Sequence, residues 1–408
     1  MQVDLNGKTI LLGVTGSISA YKACDIARLF VKAGADVHIV MTTSAERFVS
    51  ALTFEALTRN TVLTDATESW SSELNHIDIG KKCDVFVIAP ATANTINKLS
   101  HGIADNILTQ TALAYTKEII IAPAANTNML LNHATRDSIS HLKSNGYTLI
   151  EPQEKLLACG DTGSGALAEP LEVFFATAKA LLKEPFWEDR EVVVTGGGSR
   201  EKIDEVRYIS NFSSGKMASA LSFALYLRGA NVTYISTMGF NDLPLDIKRV
   251  DAASAEDILQ ETKKSITAVT TQESAPIPYL FMVAAVADFK PVDPKEGKVK
   301  KSTIGTHWSI ELEQTTDVLA AIDKSKIKTI GFKAEMDSQE GLNNAIALLE
   351  KKGVDAVCYN LLDDAKSFGG SDNEITFITK ESQTPLGRRD KLTLATMIIE
   401  EAKGLVNG

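Results

Sequence analysis

KTILLGVTGSISAYKACDIARLF, residues 8–30, shows the fold in miniature. Lys8–Val14 is a short run of β-forming aliphatic residues that stops at Thr15-Gly16-Ser17. Beyond that turn the period changes. Tyr21, Cys24, Ile26, Ala27, Leu29 and Phe30 recur at helical spacing. Working outward, Ala35–Met41 is the next strand, Asp84–Ala89 before Pro90 a third, and Lys117–Ala122 a fourth. Strands that read as continuous apolar runs, separated by helical stretches, predict a parallel sheet covered on both faces. Glu151–Glu169 is rich in Gly and polar residues without a period, so it is expected to be an irregular segment, a functional flap or a disordered loop. Leu171–Leu182 reads as a closing helix.

The same grammar restarts after Lys183–Arg190, a charged, Pro-containing stretch that reads as a linker. Glu191–Val194 is a strand, Thr195–Gly198 a turn and Ser213–Arg228 a helix. Strands follow at Asn231–Ser236, Tyr279–Val286, Thr329–Phe332 and Asp355–Tyr359, with a helix at Gly341–Lys352. The expectation is an α/β protein of two Rossmann-like doubly wound domains, 1–189 and 190–408. Each should hold its ligand in loops at the carboxyl ends of its strands.

Composition agrees. A chain of 408 residues, 44% apolar and 23% charged with only 11 prolines, is long enough for two or three globular cores and unlike a disordered chain. A net charge of −10 argues against nucleic-acid binding through a broad basic face. The longest apolar run, Tyr279–Ala287, is too short to span a bilayer, and Met1–Gly7 lacks the basic flank of a signal peptide. Cys24, Cys83, Cys159 and Cys358 stand far apart without a CxxC pair, as in a reduced chain. A soluble cytoplasmic protein without nucleic-acid or membrane partners is expected.

The chemistry-bearing residues fall at strand ends. Thr15–Ser19 joins strand to helix, where Gly16 can admit a ligand and free N–H groups suit a phosphate; an ordinary tight turn has the same composition. His76, ahead of the third strand, is either a catalytic base or a solvated structural histidine. Ala89–Thr95 and Ala122–Asn126 frame hydroxyls and amides in small residues, which suits a flat heteroaromatic ring and also helix capping. Four such loops should converge on one rim. Cys159, between Gly, Asp and Ser in the flap, fits an accessible thiol better than a buried hydrophobe. In the second half, Val206–Met217 ends in Gly-Lys but lacks the first Gly and the Ser or Thr of a Walker loop. Gly196–Gly198 lacks the third glycine of the dinucleotide fingerprint. What remains is a turn bearing Arg207, Ser213 and Lys216, suited to a phosphate or carboxylate of a substrate. Lys295, Lys298, Lys300 and Lys301 form a Lys-rich loop after a strand end, where polyphosphate binds or where cations are simply solvated.

These segments together resemble a known family. TGSISAYK (15–22), His76, APATANT (89–95), PAAN (123–126) and ACGDTGSG (158–165) are similar to the homo-oligomeric flavin-containing cysteine decarboxylases. TGGGSREKIDEVRYISNFSSGKM (195–217), AAVAD (284–288) and the Lys298 loop extend the likeness to the whole chain. The chain resembles the bifunctional phosphopantothenoylcysteine decarboxylase/phosphopantothenate–cysteine ligases of coenzyme A biosynthesis. A flavin-binding regulatory subunit would not need His76, Cys159 and a ligase-like half. A nicotinamide-linked dehydrogenase would need the dinucleotide fingerprint that both halves lack.

The resemblance implies a flavodoxin-like flavoprotein fold followed by a ligase fold. FMN would sit in the first domain, its phosphate on Gly16, Ser17 and Ile18 and its ring near Thr42, Thr92, Asn94 and Thr95. His76 would be the base, Asn126 would hold the substrate carboxylate, and Cys159 would donate a proton. Loss of CO₂ from an unactivated cysteine leaves a carbanion without an acceptor. In the family, flavin first oxidises the thiol to a thioaldehyde, and the enethiol left after CO₂ loss is then reduced. The second domain would join cysteine to 4′-phosphopantothenate through an acyl-cytidylate made from CTP with Mg²⁺. Asn211 would stabilise the acyl-nucleotide and Lys298 the triphosphate, with Ala284, Asp288, Asp317, Phe332 and Lys352 around the nucleotide. The family also implies a homo-oligomer of trimeric decarboxylase units linked by ligase dimers. Ala125, Ala166, Leu167 and Leu348 depart from the family pattern, in which Met, Arg, Met and Lys are common.

Overall fold

A computed structural model of the chain describes residues 3–156, 162–239, 243–271, 275–300, 305–336, 338–362 and 369–406. It divides into two compact units, residues 2–182 and 183–408.

The first unit is built on β1 (Thr9–Val14), β2 (Asp36–Met41), β3 (Val85–Ala91), β4 (Ile119–Pro123) and β5 (Thr148–Leu149). They pair in the order β2-β1-β3-β4-β5, every pair parallel, which is the flavodoxin-like arrangement. All seven residues of β3 are buried, as expected of a strand covered on both faces. Leu11, Phe86, Ile88, Ile119 and Ile121 pack with Ile96, Leu108 and Leu142 of the covering helices. Elsewhere in the unit, Phe30 of the Ala20–Lys32 helix meets Phe174 of the Pro170–Leu182 helix at 5.8 Å between ring centroids. Each such side chain withdrawn from water contributes about 1.5–3 kcal/mol.

One expectation fails here. Part of Glu151–Glu169 is an antiparallel hairpin of β6 (Gln153–Leu156) and β7 (Thr162–Ala166), not irregular chain. Close packing hid it. A Cβ on Gly163 or Gly165 would collide with Thr127 or with the Ala125 carbonyl, so glycine stands where an alternating apolar pattern would have signalled a strand.

The second unit carries an eight-stranded sheet. β8 (Glu191–Gly196) is followed by the short pair β9 (Glu201–Lys202) and β10 (Tyr208–Ile209), then β11 (Asn231–Ser236), β12 (Lys248–Asp251) and β13 (Tyr279–Met282). A second small pair, β14 (Phe289–Pro291) and β15 (Leu312–Gln314), precedes β16 (Lys328–Glu335), β17 (Ala356–Leu361), β18 (Asp372–Ile378) and β19 (Gln383–Asp390). The sheet order is β12-β11-β8-β13-β16-β17-β18-β19. Its first six strands are parallel in the doubly wound dinucleotide order, and β18 and β19 add antiparallel pairs. Sequence reading misses β18 and the edge strands β12 and β19; at the edges KRVD and QTPLGRRD carry the charges and proline that protect an edge. β13 stops at Met282 instead of Val286 because the Val283 and Ala284 amides turn to Thr195 Oγ1, each at 3.2 Å. The helix expected from Ser213 starts at Lys216, after Gly215 in the left-handed region at φ 69°.

The stretch read as a linker is packed into this unit. Trp187 is fully buried, 4.9 Å from the Phe186 ring and 5.0 Å from Tyr279. Arg190 lies 4.2 Å over the Phe186 ring and donates to the Phe186 and Ile277 carbonyls. Glu184 pairs with Arg228 at 2.6 Å and with Lys403. The division between units therefore falls after Leu182, earlier than the 189/190 boundary read from sequence. No helix among the described residues is long and apolar enough to cross a membrane.

Candidate active sites

In the first unit the strand ends are stitched into one rim. The Thr42 amide donates to the Val14 carbonyl at 3.1 Å, tying the ends of β2 and β1. Thr15 Oγ1 donates to the Pro90 carbonyl at 2.7 Å and accepts from the Thr92 amide at 3.1 Å, tying β1 to β3. The Ala124 amide donates to the Ala91 carbonyl at 2.9 Å, and the Ala125 amide to Gly165 of β7 at 3.1 Å. Thr42, Gly16, Thr92, Thr95 and Asn126 thus lie along one edge, in the order of the sheet. Thr92 caps the Ala93–Ser100 helix through the Thr95 amide, while Asn94 is exposed on its first turn. Asn126 Oδ1 caps the Thr127–Leu131 helix by accepting from Asn128 at 2.9 Å, so its Nδ2 is the end suited to a carboxylate.

The turn at Gly16 is a cradle that only glycine fits. A Cβ there would lie 2.5 Å from Ser44 Cβ and 3.1 Å from the Ser44 carbonyl carbon. Ser19, at the N-cap of the Ala20–Lys32 helix, makes no side-chain capping bond. The Ser17, Ser19, Ala20 and Lys22 amides bond within the turn, but a glycine turn held open at the start of a long helix still suits a phosphate, and the residues present therefore fit a phosphorylated flavin.

His76 sits in the segment leaving β2. The Leu63 amide bonds the Ile39 carbonyl, Thr43 Oγ1 bonds Asp65 at 2.9 Å, and the Glu68 amide bonds the Thr64 carbonyl. Glu68 Oε1 then meets His76 Nδ1 at 2.6 Å. Sequence reading named His76 without Glu68, because an isolated acid eight residues upstream carries no motif. Cys159 lies outside the described residues. Among the described thiols, burial pushes Cys83 up to about 12 and Cys358 well above its ordinary range, so neither can serve as a proton donor near neutral pH. Burial also raises Cys24, and Asp25 adds to the effect. Of the departures from the family pattern, Leu167 is fully buried, Ala125 packs on the core and Leu348 covers Gly331 at the sheet surface.

In the second unit, the Gly196–Gly198 turn is a packing device. Gly197 has φ 85°, and a Cβ on Gly198 would lie 2.6 Å from the Asn211 carbonyl oxygen. Asn211 Nδ2 donates to the Val286 carbonyl at 2.9 Å, placing it beside the end of β13. Buried Ser199 fixes the same loop: its amide bonds Ala285 at 3.1 Å and its hydroxyl accepts from Ala287 at 2.9 Å. Ala284 is half-buried there, Asp288 is exposed, and Phe332 follows the Met282–Gly331 pair on the neighbouring β16.

The Lys298 loop is sewn to the turn bearing Arg207. The Lys295 amide bonds the Ile203 carbonyl at 2.9 Å, and Glu205 bonds Gly297 at 3.3 Å. The buried Asp204 carboxylate accepts from Arg207 Nε at 3.0 Å and from the Val206, Arg207 and Val299 amides. Those bonds, led by the Arg207 side chain and opposed by burial, hold Asp204 far below the usual carboxylate range. Arg207 also lies 4.5 Å over the Trp308 ring. Lys298 is exposed at the head of this loop. Asp317 caps the Val318–Ala321 helix and pairs with Lys352; burial pushes its pKa up, but the Lys352 and Ala320 bonds with nearby Lys324 bring it below the ordinary value. Lys216 reaches the Gly369 carbonyl at 2.9 Å, and Ser213 is half-buried just ahead of that helix. The contacts join Asn211 to β13 and Lys298 to Arg207, while Asp317 and Lys352 form a separate pair.

Comparison with known proteins covers both units. The Flavoprotein family model matches residues 1–182, and the model of the DNA/pantothenate metabolism flavoprotein C-terminal domain matches residues 187–405. The Coenzyme A biosynthesis bifunctional protein CoaBC of Bacillus subtilis (strain 168) is 38% identical over 409 residues, 98% of each chain. The protein of the same name from Haemophilus influenzae (strain ATCC 51907 / DSM 11121 / KW20 / Rd) is 35% identical over 404 residues, again 98% of each. Among solved structures, a PPC decarboxylase mutant complexed with pantothenoylaminoethenethiol is 36% identical and covers 42% of this chain and 96% of that one, with a TM-score of 0.39.

Proposed function

Because the chain belongs to the family of bifunctional coenzyme A biosynthesis proteins, with a flavoprotein decarboxylase unit and a ligase unit, we propose the following division of residues between its two reactions. The second unit joins cysteine to 4′-phosphopantothenate at the expense of CTP, and the first decarboxylates the resulting 4′-phosphopantothenoylcysteine to 4′-phosphopantetheine. The observation that carries this reading is the pair of strand-end rims, one closed around the Gly16 cradle and one around Asn211.

In the first unit, Gly16, Ser17 and Ile18 would hold the phosphate of FMN, and Thr42, Thr92, Asn94 and Thr95 would border its ring. When bound, the flavin supplies a two-electron acceptor and donor for the cysteine side chain. His76 removes the initial proton, and Asn126 Nδ2 orients the carboxylate that leaves as CO₂. Cys159 returns a proton to the product carbon.

In the second unit, carboxylate and triphosphate repel each other until cations neutralise both. Lys298 takes the triphosphate, and Arg207, Ser213 and Lys216 take the acidic substrate. Asn211 keeps one amide N–H on the Val286 carbonyl and offers the other to the acyl-nucleotide. Ala284, Asp288, Phe332, Asp317 and Lys352 border the nucleotide. Mg²⁺ would accompany the triphosphate and offset part of its charge. The protein works in the cytoplasm as a homo-oligomer, trimeric through the first unit and dimeric through the second.

The test is one coupled assay. Purified protein given 4′-phosphopantothenate, cysteine, CTP and Mg²⁺ should release pyrophosphate, CMP, CO₂ and 4′-phosphopantetheine. Ligation that runs without CTP, or CO₂ release from protein stripped of flavin, would overturn the assignment.

A further inference from the structure

We propose that Glu68 is the positioning residue of the decarboxylase base, fixing the tautomer and orientation of His76 through the Glu68–His76 pair. The inference rests on the reading of His76 as that base.

The geometry is specific. His76 Nδ1 stands 2.6 Å from Glu68 Oε1, a charge-assisted distance, and the His76 amide leans on the same oxygen at 3.4 Å. The two side chains are only 23% and 25% exposed, so water competes weakly for the bond. The Trp70 ring stands edge-on to the imidazole, 5.6 Å between centroids at 86°, and walls one side. The backbone just after His76 is fixed by Asn75, which is fully buried. Its Oδ1 accepts from the Ile77 and Asp78 amides at 3.0 Å, and its Nδ2 donates to Asp78 at 2.7 Å.

A carboxylate can only accept. Nδ1 must therefore carry the proton, which leaves the lone pair on Nε2. That is the form a base needs, with the free lone pair on the nitrogen that takes the proton. A histidine held only for packing would not need its ring bonded by a carboxylate and walled by a tryptophan in a surface segment. Glu68 itself comes off the Thr64 turn at the β2 exit, so the pair is anchored to the rim that holds the Gly16 cradle.

The test uses the full-length protein with Glu68→Leu, Glu68→Gln and His76→Asn. CO₂ release from 4′-phosphopantothenoylcysteine gives kcat and KM, and visible absorbance gives bound flavin. Peptide mass spectrometry gives the rate at which diethyl pyrocarbonate modifies His76, with the remaining histidines as internal controls. Glu68→Leu should lower kcat by about 10–100-fold with KM and flavin content unchanged. It should also slow modification of His76 alone. Glu68→Gln should fall between, because its Oε1 still accepts from Nδ1 but brings no charge. Normal kcat and normal His76 modification in Glu68→Leu, with His76→Asn inactive, would overturn the proposal and leave the base in place. An active His76→Asn would instead overturn the base itself, and Glu68 with it. If Glu68→Leu failed to retain flavin, Glu68→Gln would decide: reduced kcat with full flavin supports the pair, and unchanged kcat sinks it.

Discussion

Single residues carry the sharpest expectations. Gly16→Ala places a methyl 2.5 Å from Ser44 Cβ, and neither Ser44 nor the turn can retreat without opening the cradle. Flavin content of the purified variant, read from visible absorbance, should fall by about tenfold or more, a loss of roughly 1.4 kcal/mol or more in binding. Ligation should be untouched. Asn211→Asp sets a carboxylate beside the Val286 carbonyl, where only a donor is tolerated. CMP-forming ligation should slow by about 10²-fold while decarboxylation of supplied substrate continues. Asp204 ties these chemistries to pH. Its folded pKa lies below the unfolded value of about 3.9, so its contribution is full above that value and is lost as pH falls toward the folded one. Asp204→Asn should therefore lower the melting temperature of the second unit at pH 7. The gap from wild type should close as the pH drops below about 4, and a gap that stays constant would assign it to packing instead.

At the scale of elements, what could be read from sequence depended on where an element packs. β1, β3, β8 and β13 lie inside their sheets, so burial on both faces left apolar runs that cannot be mistaken. β12 and β19 lie at edges, and the hairpin of β6 and β7 lies on backbone, so neither left a hydrophobic period to read. The sites divided similarly. Gly16, Asn126, Asn211 and Lys298 stood in recognisable motifs, whereas Glu68 and Trp308, and the part Asp204 plays within its motif, act through contacts made only on folding. The hairpin gives the expectation that belongs here. Gly165→Ala would drive a methyl into the Ala125 carbonyl, lifting β7 from the residues that lead into Asn126. CO₂ release should fall by more than about tenfold with flavin still bound. Equal loss of flavin would place the hairpin in cofactor binding instead.

For the whole molecule, the position of the unit boundary decides which fragments survive. A chain of residues 183–408 keeps Trp187 on Tyr279 and Glu184 on Arg228, whereas one starting at Arg190 loses both. Truncating a buried Trp costs about 3–5 kcal/mol, a large share of the 5–15 kcal/mol that holds a domain together. In urea the longer fragment should unfold in one transition and ligate without flavin. The shorter should unfold at a clearly lower midpoint, and identical midpoints would show that the Trp187 segment is dispensable. The seam between the Lys298 loop and the Arg207 turn has a consequence on the same scale. Through Asp204 and the Val299 backbone the two segments form one rigid piece, so whatever draws Arg207 toward an acidic substrate also shifts Lys298. If that shift favours the nucleotide, each ligand must tighten the other by the same factor, because a coupling free energy belongs to both sites equally. Order of addition would then be a matter of concentration alone.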